Sequence, residues 1–273
     1  NDNIADFRYG VNVNMAYNKN VVTKIANGEG IIYGPNDVLD QNTGYLFLAQ
    51  EGYPIGYFYG YKTNGIFQNA EQVANTEAKV VDAAPGDLIF VDTDKDGDID
   101  SDDRTMLGNP HPDVNLGFGL NMEYKGFDFS ITANGAFGHQ IAQSYRPQTN
   151  KLYYNYTKQM MDERWHGEGT SNTFPRLGNA ANFNKVSDIY IQDADYVRIQ
   201  NITLGYDFKR LWKKSPLKQM RLYLSLQNWF TFTGYDGFDP AVGYGGGTDW
   251  ASGVDLGFYP SAKSFIIGAN LKF

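Results

Sequence analysis

The chain of 273 residues contains no cysteine and only three histidines. Without thiols there is no disulfide and no cysteine-based zinc site, although that absence says little about compartment. His111, His139 and His166 stand far apart with no H-x-x-x-H spacing, so structural or solvated roles are expected and a zinc site is not. No run of about 18 apolar residues occurs, which excludes a transmembrane helix. It does not exclude a membrane, because barrel strands alternate and leave mean hydropathy negative, here −0.46. Cations are in the minority: Lys and Arg number 23 against 31 Asp and Glu, a net charge of −8. That balance argues against nucleic acid, whose phosphates require clustered cations. No N-terminal signal segment is visible, and "NDNIADFRYG" reads like the middle of a strand. "GEGTSN" and "YGGGTD" are Gly-rich, but neither leads from a strand into a helix with a Lys, so a phosphate loop is not expected. There is no G-x-S-x-G, and Asp/Glu pairs are too common to nominate a glycosidase pair. No active site is expected, and the chain does not read as an enzyme.

What is present is period-two alternation, the mark of strands with one oily and one polar face. In "DVNLGFGLNMEY", Val114, Leu116, Phe118, Leu120, Met122 and Tyr124 share a face opposite Asn115, Gly117, Gly119, Asn121 and Glu123. After a two-residue "KG" turn, Phe127, Phe129, Ile131 and Ala133 oppose Asp128, Ser130, Thr132 and Asn134. The pattern recurs with Val11, Val13, Met15 and Tyr17, with Ile202, Leu204, Tyr206 and Phe208, and with Leu222, Leu224 and Leu226. It ends with Phe265, Ile267, Ala269, Leu271 and Phe273. A weaker strand is expected near Gly56 to Phe67, which makes about seven strands of roughly ten residues, the length that spans a bilayer when tilted.

The connections are of two kinds. "EYKGFD" is tight and "FKRLWKKSPLKQM" is short and basic, whereas 68–112, 138–195 and 234–262 are long, polar and rich in Gly and Asn. Loops this long count against a compact soluble domain but are normal on the outer side of a membrane barrel. A helix is expected over Tyr153 to Trp165. Val21 to Pro54 fits poorly, because strand parity places it on the short-turn side. A soluble β-sandwich or jelly roll would also alternate. Against it, the polar faces carry Asn, Ser, Thr, Gln and Gly with few Lys or Glu, which suits a wet lumen better than a free surface. Aromatics also gather at strand ends (Tyr17, Tyr124, Tyr206, Phe208, Phe137, Phe230, Phe232, Tyr235) as interfacial girdles do. The expected fold is all-β, a transmembrane antiparallel barrel with long extracellular loops.

"DTDKDGDIDSDD" fits the calcium-loop template. Asp92, Asp94 and Asp96 take positions 1, 3 and 5, Gly97 turns the chain at 6, and Asp98 offers its carbonyl at 7. Ile99 is the apolar anchor, Asp100 acts through water, and Asp103 closes at position 12, where the longer Glu is preferred. Strand-like "DLIFV" leads in and "GNPHPD" leads out, so no helix pair is there to be switched. Three readings stay open: a structural Ca²⁺ bracing the loop, a solvated loop held by Asx-turn chemistry, and, with no base or nucleophile nearby to support it, a catalytic carboxylate site.

A series of phrases in this order, "GYPIGYFYGYKTNGIFQ", "PGDLIFVDTDKDGDIDSDDRTMLGNPHPDVNLGFGLNMEYKGFDFSI", "ERWHGEGTSNTFPRL", "DADYVRIQNITLGYDF", "LYLSLQNWFTFTGYDGFDP" and "YPSAKSFIIGANLKF", resembles the C-terminal part of SusC/RagA-type TonB-linked outer-membrane proteins of Bacteroidetes. The resemblance runs from about Glu51 to Phe273. It implies a 22-stranded barrel with an internal plug, import of oligosaccharides or peptides driven through TonB, and a SusD-like surface lipoprotein as lid. Family members are several times longer, with a signal peptide, a TonB-contacting segment and a plug that are not seen here. About seven strands cannot close such a barrel, and an unpaired edge in lipid is prohibited. The chain therefore reads as the C-terminal portion, 1–273, of a longer polypeptide, with TonB reached through the missing N-terminal region. The terminal Phe273 resembles an outer-membrane assembly signal, or is simply the aromatic end of a closing strand. Tyr153, Tyr154, Tyr156, Trp165, Tyr244, Trp250 and Tyr259 fall in outer loops, where lid contact is the default and cargo contacts stay unassigned. Arg210, Lys213, Lys214 and Lys218 are expected to face the periplasm, or merely to keep a turn soluble. The alternative to an importer is a secreted, calcium-stabilised β-sandwich that binds glycans.

Overall fold

A computed structural model describes residues 2–4, 7–39, 44–145, 156–178 and 180–273. Its strands, in chain order, are β1 (Asp2–Ile4), β2 (Phe7–Tyr17), β3 (Ile31–Tyr33), β4 (Phe47–Gln50), β5 (Tyr57–Gly60), β6 (Thr63–Ile66), β7 (Leu88–Phe90), β8 (Thr105–Gly108), β9 (Val114–Tyr124), β10 (Phe127–Phe137), β11 (Gln140–Gln143), β12 (Ile191–Asp193), β13 (Tyr196–Asp207), β14 (Gln219–Thr233), β15 (Val254–Asp255) and β16 (Ser264–Lys272). Two short helices, α1 (Ala70–Asn75) and α2 (Lys158–Glu163), lie in the loops. No helix among the described residues is long and apolar enough to cross a membrane, which says nothing of a barrel.

The long strands form one antiparallel sheet in the order β1-β2-β9-β10-β13-β14-β16. Their alternation sets the register, because a slip of one residue would turn every side chain to the other face. Tyr9, Met122, Phe129, Leu204, Leu224 and Ile267 consequently form one unbroken cross-strand row. The next row is Val11, Leu120, Ile131, Ile202, Leu226 and Phe265. An aromatic row, Phe7, Tyr124, Phe127 and Tyr206, bounds this apolar face at the short-turn end, and Tyr17 beside Val114 closes the other. A bulge near Gln200, with Asn228 opposite it at a φ of 56°, keeps Ile199 and Phe230 on the apolar face after the register shift. From Phe7 to Tyr17 is ten steps, ~34 Å of strand, or ~26 Å of depth at a barrel tilt of about 40°. That matches the apolar band of about 25 Å that an outer-membrane barrel presents to lipid. No second layer covers this face among the described residues: Val13 is 70% and Ile267 74% exposed. A sandwich would bury it.

The hairpin joining β9 and β10 turns on Lys125 and Gly126, at φ 47° and 93°, a two-residue turn with both φ positive. A second connection at this end, 208–218, is compact. At the opposite end the described residues of 18–113, 138–195 and 234–263, the first, second and third loops, lie outside the sheet. These loops hold nearly all of the buried apolar core. Among the described residues, only Ala136 of the fully or nearly fully buried apolar side chains belongs to a long strand. Leu39, Leu46, Phe47 and Phe58 from the first loop pack with Ala142, Val186 and Tyr190 from the second and with Ala251 and Val254 from the third. Small sheets knit the loops: β3-β4-β5-β8 within the first, and β12-β11-β15 joining the second and third.

Two expectations need correction. The stretch Gly56 to Phe67 is no wall strand; it divides into β5 and β6, in separate small sheets of the cap. Its aromatic alternation serves a buried cap, with Tyr57 and Phe58 at most 1% exposed. The parity problem of Val21 to Pro54 disappears with it, since all of 18–113 is one loop at one end. The expected helix Tyr153 to Trp165 shortens to α2, and its first residues, 153–155, lie outside the described residues.

Candidate functional site: the polar wall face and the loop cap

The polar face of the sheet is a hydrogen-bonded surface. Asn201 Nδ2 donates to Thr203 Oγ1 (2.9 Å), Thr203 Oγ1 to Ser225 Oγ (3.1 Å), and Ser225 Oγ back to Asn201 Oδ1 (2.5 Å). Nearer the short turns, Arg221 on β14 grips Asp128 on β10 through Nε (2.8 Å) and Nη2 (2.5 Å). The pair reaches across β13 only because residue 205 is glycine: a Cβ there would lie 2.4 Å from Asp128 Oδ1 and 2.6 Å from Arg221 Nε. Gly205→Val should therefore destabilise the sheet by about 1–3 kcal/mol. Its effect should be strongly non-additive with Arg221→Gln in a double-mutant cycle read by urea unfolding of the full-length protein. Additive losses would mean that the glycine is not there for the ion pair.

The Asp-rich loop lies in the first loop between β7 and β8, with strands and not helices on either side. Asp92, Asp94 and Asp96 bring one carboxylate oxygen each within 4.8 Å of one another, so the structure assembles the first three predicted ligands. The carboxylates of the other three do not join that group, although for Asp98 the expected donor is its backbone carbonyl. Asp98 is exposed, and Asp100 Oδ1 accepts the Asp102 amide at 2.8 Å. Asp103 is fully buried, with Oδ1 accepting the Thr93 amide (2.5 Å) and Oδ2 the Asp100 amide (3.0 Å). Its side chain, one methylene shorter than the preferred Glu, staples the loop's own backbone. Asp92 likewise accepts the amides of Lys95 (2.6 Å) and Gly97 (3.0 Å), while Ile99 packs against the cluster of Tyr61, Ile66, Leu88 and Phe90. The Asp94 carboxyl is held above the usual aspartate range by desolvation and by the charges of Asp96, Asp103 and Asp92, against the opposing Asp96 amide.

Below this loop, cations stack on tyrosines. Arg104 lies 4.4 Å from the Tyr59 ring centroid, and Lys185 lies 4.4 Å from that of Tyr61. Burial, and then Arg104, lower the Lys185 pKa. Three buried carboxylates, which the sequence does not single out, lock the cap. Asp87 accepts from Arg176 Nε (2.6 Å) and Nη2 (3.1 Å), from Asn182 Nδ2 (3.0 Å) and from the Ala84 amide (2.9 Å), which ties the first loop to the second. Asp255 accepts the hydroxyls of Tyr235 (2.7 Å) and Tyr145 (3.3 Å), tying the third loop to the second. Asp239 accepts from Arg198 Nη2 on β13 (2.5 Å) and from the Ala241 and Ser261 amides (2.9 and 3.0 Å).

Desolvation raises the Asp239 pKa, but Arg198 and the two amides outweigh it and hold the carboxyl below the usual range. A depressed folded-state pKa contributes stability above the unfolded value of about 3.9 and loses it as pH falls below that. The third loop should stay protease-resistant at pH 5 and open in stronger acid, and Asp239→Asn should leave it open at both. Of the loop aromatics, Trp165 and Trp250 pack into cap clusters and are not free platforms. Tyr259 stands 92% exposed, and Tyr153 and Tyr154 lie outside the described residues. His111 and His139 are partly or wholly buried with lowered pKa values, set by burial ahead of the backbone contacts that oppose it.

A single twisted wall with an uncovered apolar face, a hydrogen-bonded polar face, tight turns at one end and a knitted cap at the other defines a segment of a membrane β-barrel. No family model matches the chain. It is 32% identical over 98% of its length to TonB-dependent receptor P3 of Formosa agariphila, and 29% identical over 98% to TonB-dependent receptor SusC of Bacteroides thetaiotaomicron. It also superposes on the RagAB peptide importer in its open-open state over 99% of its length, with a TM-score of 0.73 at 21% identity, a likeness of fold. The chain spans 27% and 25% of those two receptors and 27% of the importer chain. It is a segment of the SusC/RagA-type TonB-dependent receptor family, as the ordered phrases imply, and consistent with their C-terminal part.

Proposed function

We propose that the whole protein imports a nutrient across the outer membrane, with this segment supplying part of the barrel wall and the loop cap. The alignment with a TonB-dependent receptor, continuous through both wall and loops, carries the reading. In it the cap is extracellular, the polar face lines the lumen of a 22-stranded barrel, and TonB acts on a region outside this chain. The cargo is an oligosaccharide or a peptide, admitted beneath a SusD-like lipoprotein lid, and no covalent chemistry is involved. Removing the gene from its host and measuring uptake of labelled oligosaccharides and peptides tests this directly. Loss of one class of cargo, restored by the intact gene but not in a TonB-deficient strain, is the expected result. Unchanged uptake of every cargo would sink the reading.

The same proposal gives the Asp-rich loop a structural Ca²⁺. Asp92, Asp94 and Asp96 fit its preference for several hard oxygens. Asp103, fully buried and turned to the Thr93 and Asp100 amides, shapes the loop from outside this group of three carboxylates. Millimolar Ca²⁺ should protect 92–103 from proteolysis, and EGTA should remove the protection. At a hundredfold excess over Kd the ion contributes about 2.7 kcal/mol to the loop's folded state. Asp96→Asn should abolish the Ca²⁺ response, and a response that survives in this variant would place the ion elsewhere.

A further inference from the structure

We infer that the basic turn between β13 and β14 is a docking site for anionic phospholipid headgroups of the membrane leaflet at the short-turn end. The chain is acidic overall, yet 208–218 holds Lys209, Arg210, Lys213, Lys214 and Lys218 and no carboxylate. The turn is preformed. Lys209 Nζ donates to the carbonyls of Lys213 (3.1 Å) and Ser215 (2.7 Å), and Asp207 Oδ1 accepts the amides of Lys209 (3.0 Å) and Met220 (3.2 Å). Cinching the loop in this way leaves Arg210, Lys213, Lys214 and Lys218 exposed. Among the described residues, three acidic groups at this end are already engaged: Glu123 lies 3.8 Å from Arg8, Asp128 is held by Arg221, and Asp207 caps the turn. No carboxylate among the described residues pairs with Lys213, Lys214 or Lys218.

Charge alone would fit any acidic partner, and the apolar side chains decide for lipid. Leu211 and Trp212, amid these cations, are 72% and 55% exposed. Both amides bond back to the Phe208 carbonyl, at 3.0 and 2.9 Å. Phe208 meets Tyr206 edge-on at 5.0 Å, and Tyr206 meets Phe127 at 4.4 Å in the aromatic row of the lipid-facing side. The turn thus continues the aromatic boundary of the wall, the depth at which indole rings settle among headgroups and lysine stems lie along acyl chains with ammonium groups raised to phosphates. Clustered cations at that depth select anionic over zwitterionic lipid.

The inference rests on the wall lying in a bilayer. The test therefore uses the full-length transporter, first shown to be heat-modifiable and thus inserted, exchanged into detergent with equal phosphatidylglycerol and phosphatidylcholine. Native mass spectrometry should find phosphatidylglycerol retained several-fold over phosphatidylcholine. The preference should fall toward unity in Lys213→Gln/Lys214→Gln/Lys218→Gln, weaken in Trp212→Ala, and decline for the unaltered protein as salt rises from 0.05 to 0.5 M, about where screening shortens to a few ångströms. The salt arm needs no variant, so a folding defect in the triple mutant leaves the question decidable. Equal retention of the two lipids by an inserted protein overturns the inference without touching the barrel reading. So does binding of an acidic peptide, lost in the triple variant, without any lipid preference.

Discussion

Asp87→Ala should open the loop cap while leaving the wall sheet standing. Asp87 is fully buried and is the only carboxylate among the described residues that contacts Arg176 and Asn182 together. Truncation strands the Arg176 guanidinium and frees Asn182, whose Oδ1 also accepts the Leu88 amide at 2.9 Å. Breaking a buried pair by removing one partner costs about 3–5 kcal/mol, and the partial exposure of Arg176 places this case near the lower end. The loss falls on the contact between the first and second loops, because the wall shares none of these groups. Limited proteolysis should cut within 68–112 and 156–178, while the folded barrel keeps its anomalous mobility on unheated gels. Arg176→Lys should give an intermediate result, since an ammonium cannot reproduce the two-pronged grip. Resistance to protease in Asp87→Ala would show that the apolar clusters alone hold the cap.

Placing an arginine at residue 131 and at residue 132 should have opposite consequences. Ile131 lies in a central apolar row, between Leu120 and Ile202. Thr132, its neighbour in sequence, is exposed on the polar face. Near the middle of the apolar band Ile131→Arg should cost about 2–4 kcal/mol, whereas the polar face tolerates charge as a lumen lining does. Refolding of the full-length protein into liposomes across a urea series should show a large loss for Ile131→Arg and almost none for Thr132→Arg. Similar losses at both sites would mean that the apolar face is not against lipid.

Much of the wall was legible in the sequence because a two-residue period is local. Val114 to Tyr124 and Phe127 to Asn134 each alternate without interruption, and the Lys125–Gly126 turn between them leaves a single register. The Asp-rich loop was legible for a similar reason, since its template is contiguous. Even there the burial of Asp103 was not, because which oxygens meet backbone amides depends on how the loop folds back on Thr93. The cap was misread where buried aromatics imitate a membrane strand. "YFYGY" alternates as a wall strand does, yet Phe58 packs on Phe47 at 5.7 Å while Tyr57 turns its hydroxyl to Gln50 at 2.7 Å. A short apolar run has no local mark distinguishing lipid from a protein interior.

By itself, then, the sequence determined the alternation, the unequal ends of the wall, the polar character of one face and the family phrases, all properties of neighbouring residues or of their order. Only the tertiary structure decided that the three long loops share one core. It also decided that Asp87, Asp239 and Asp255 are the locks of that cap and that the Asp128–Arg221 pair passes over Gly205, where a Cβ would crowd it. Those facts join residues tens of positions apart, as Asp87 joins Arg176 and Asp128 joins Arg221, and burial rather than residue type gives each its role.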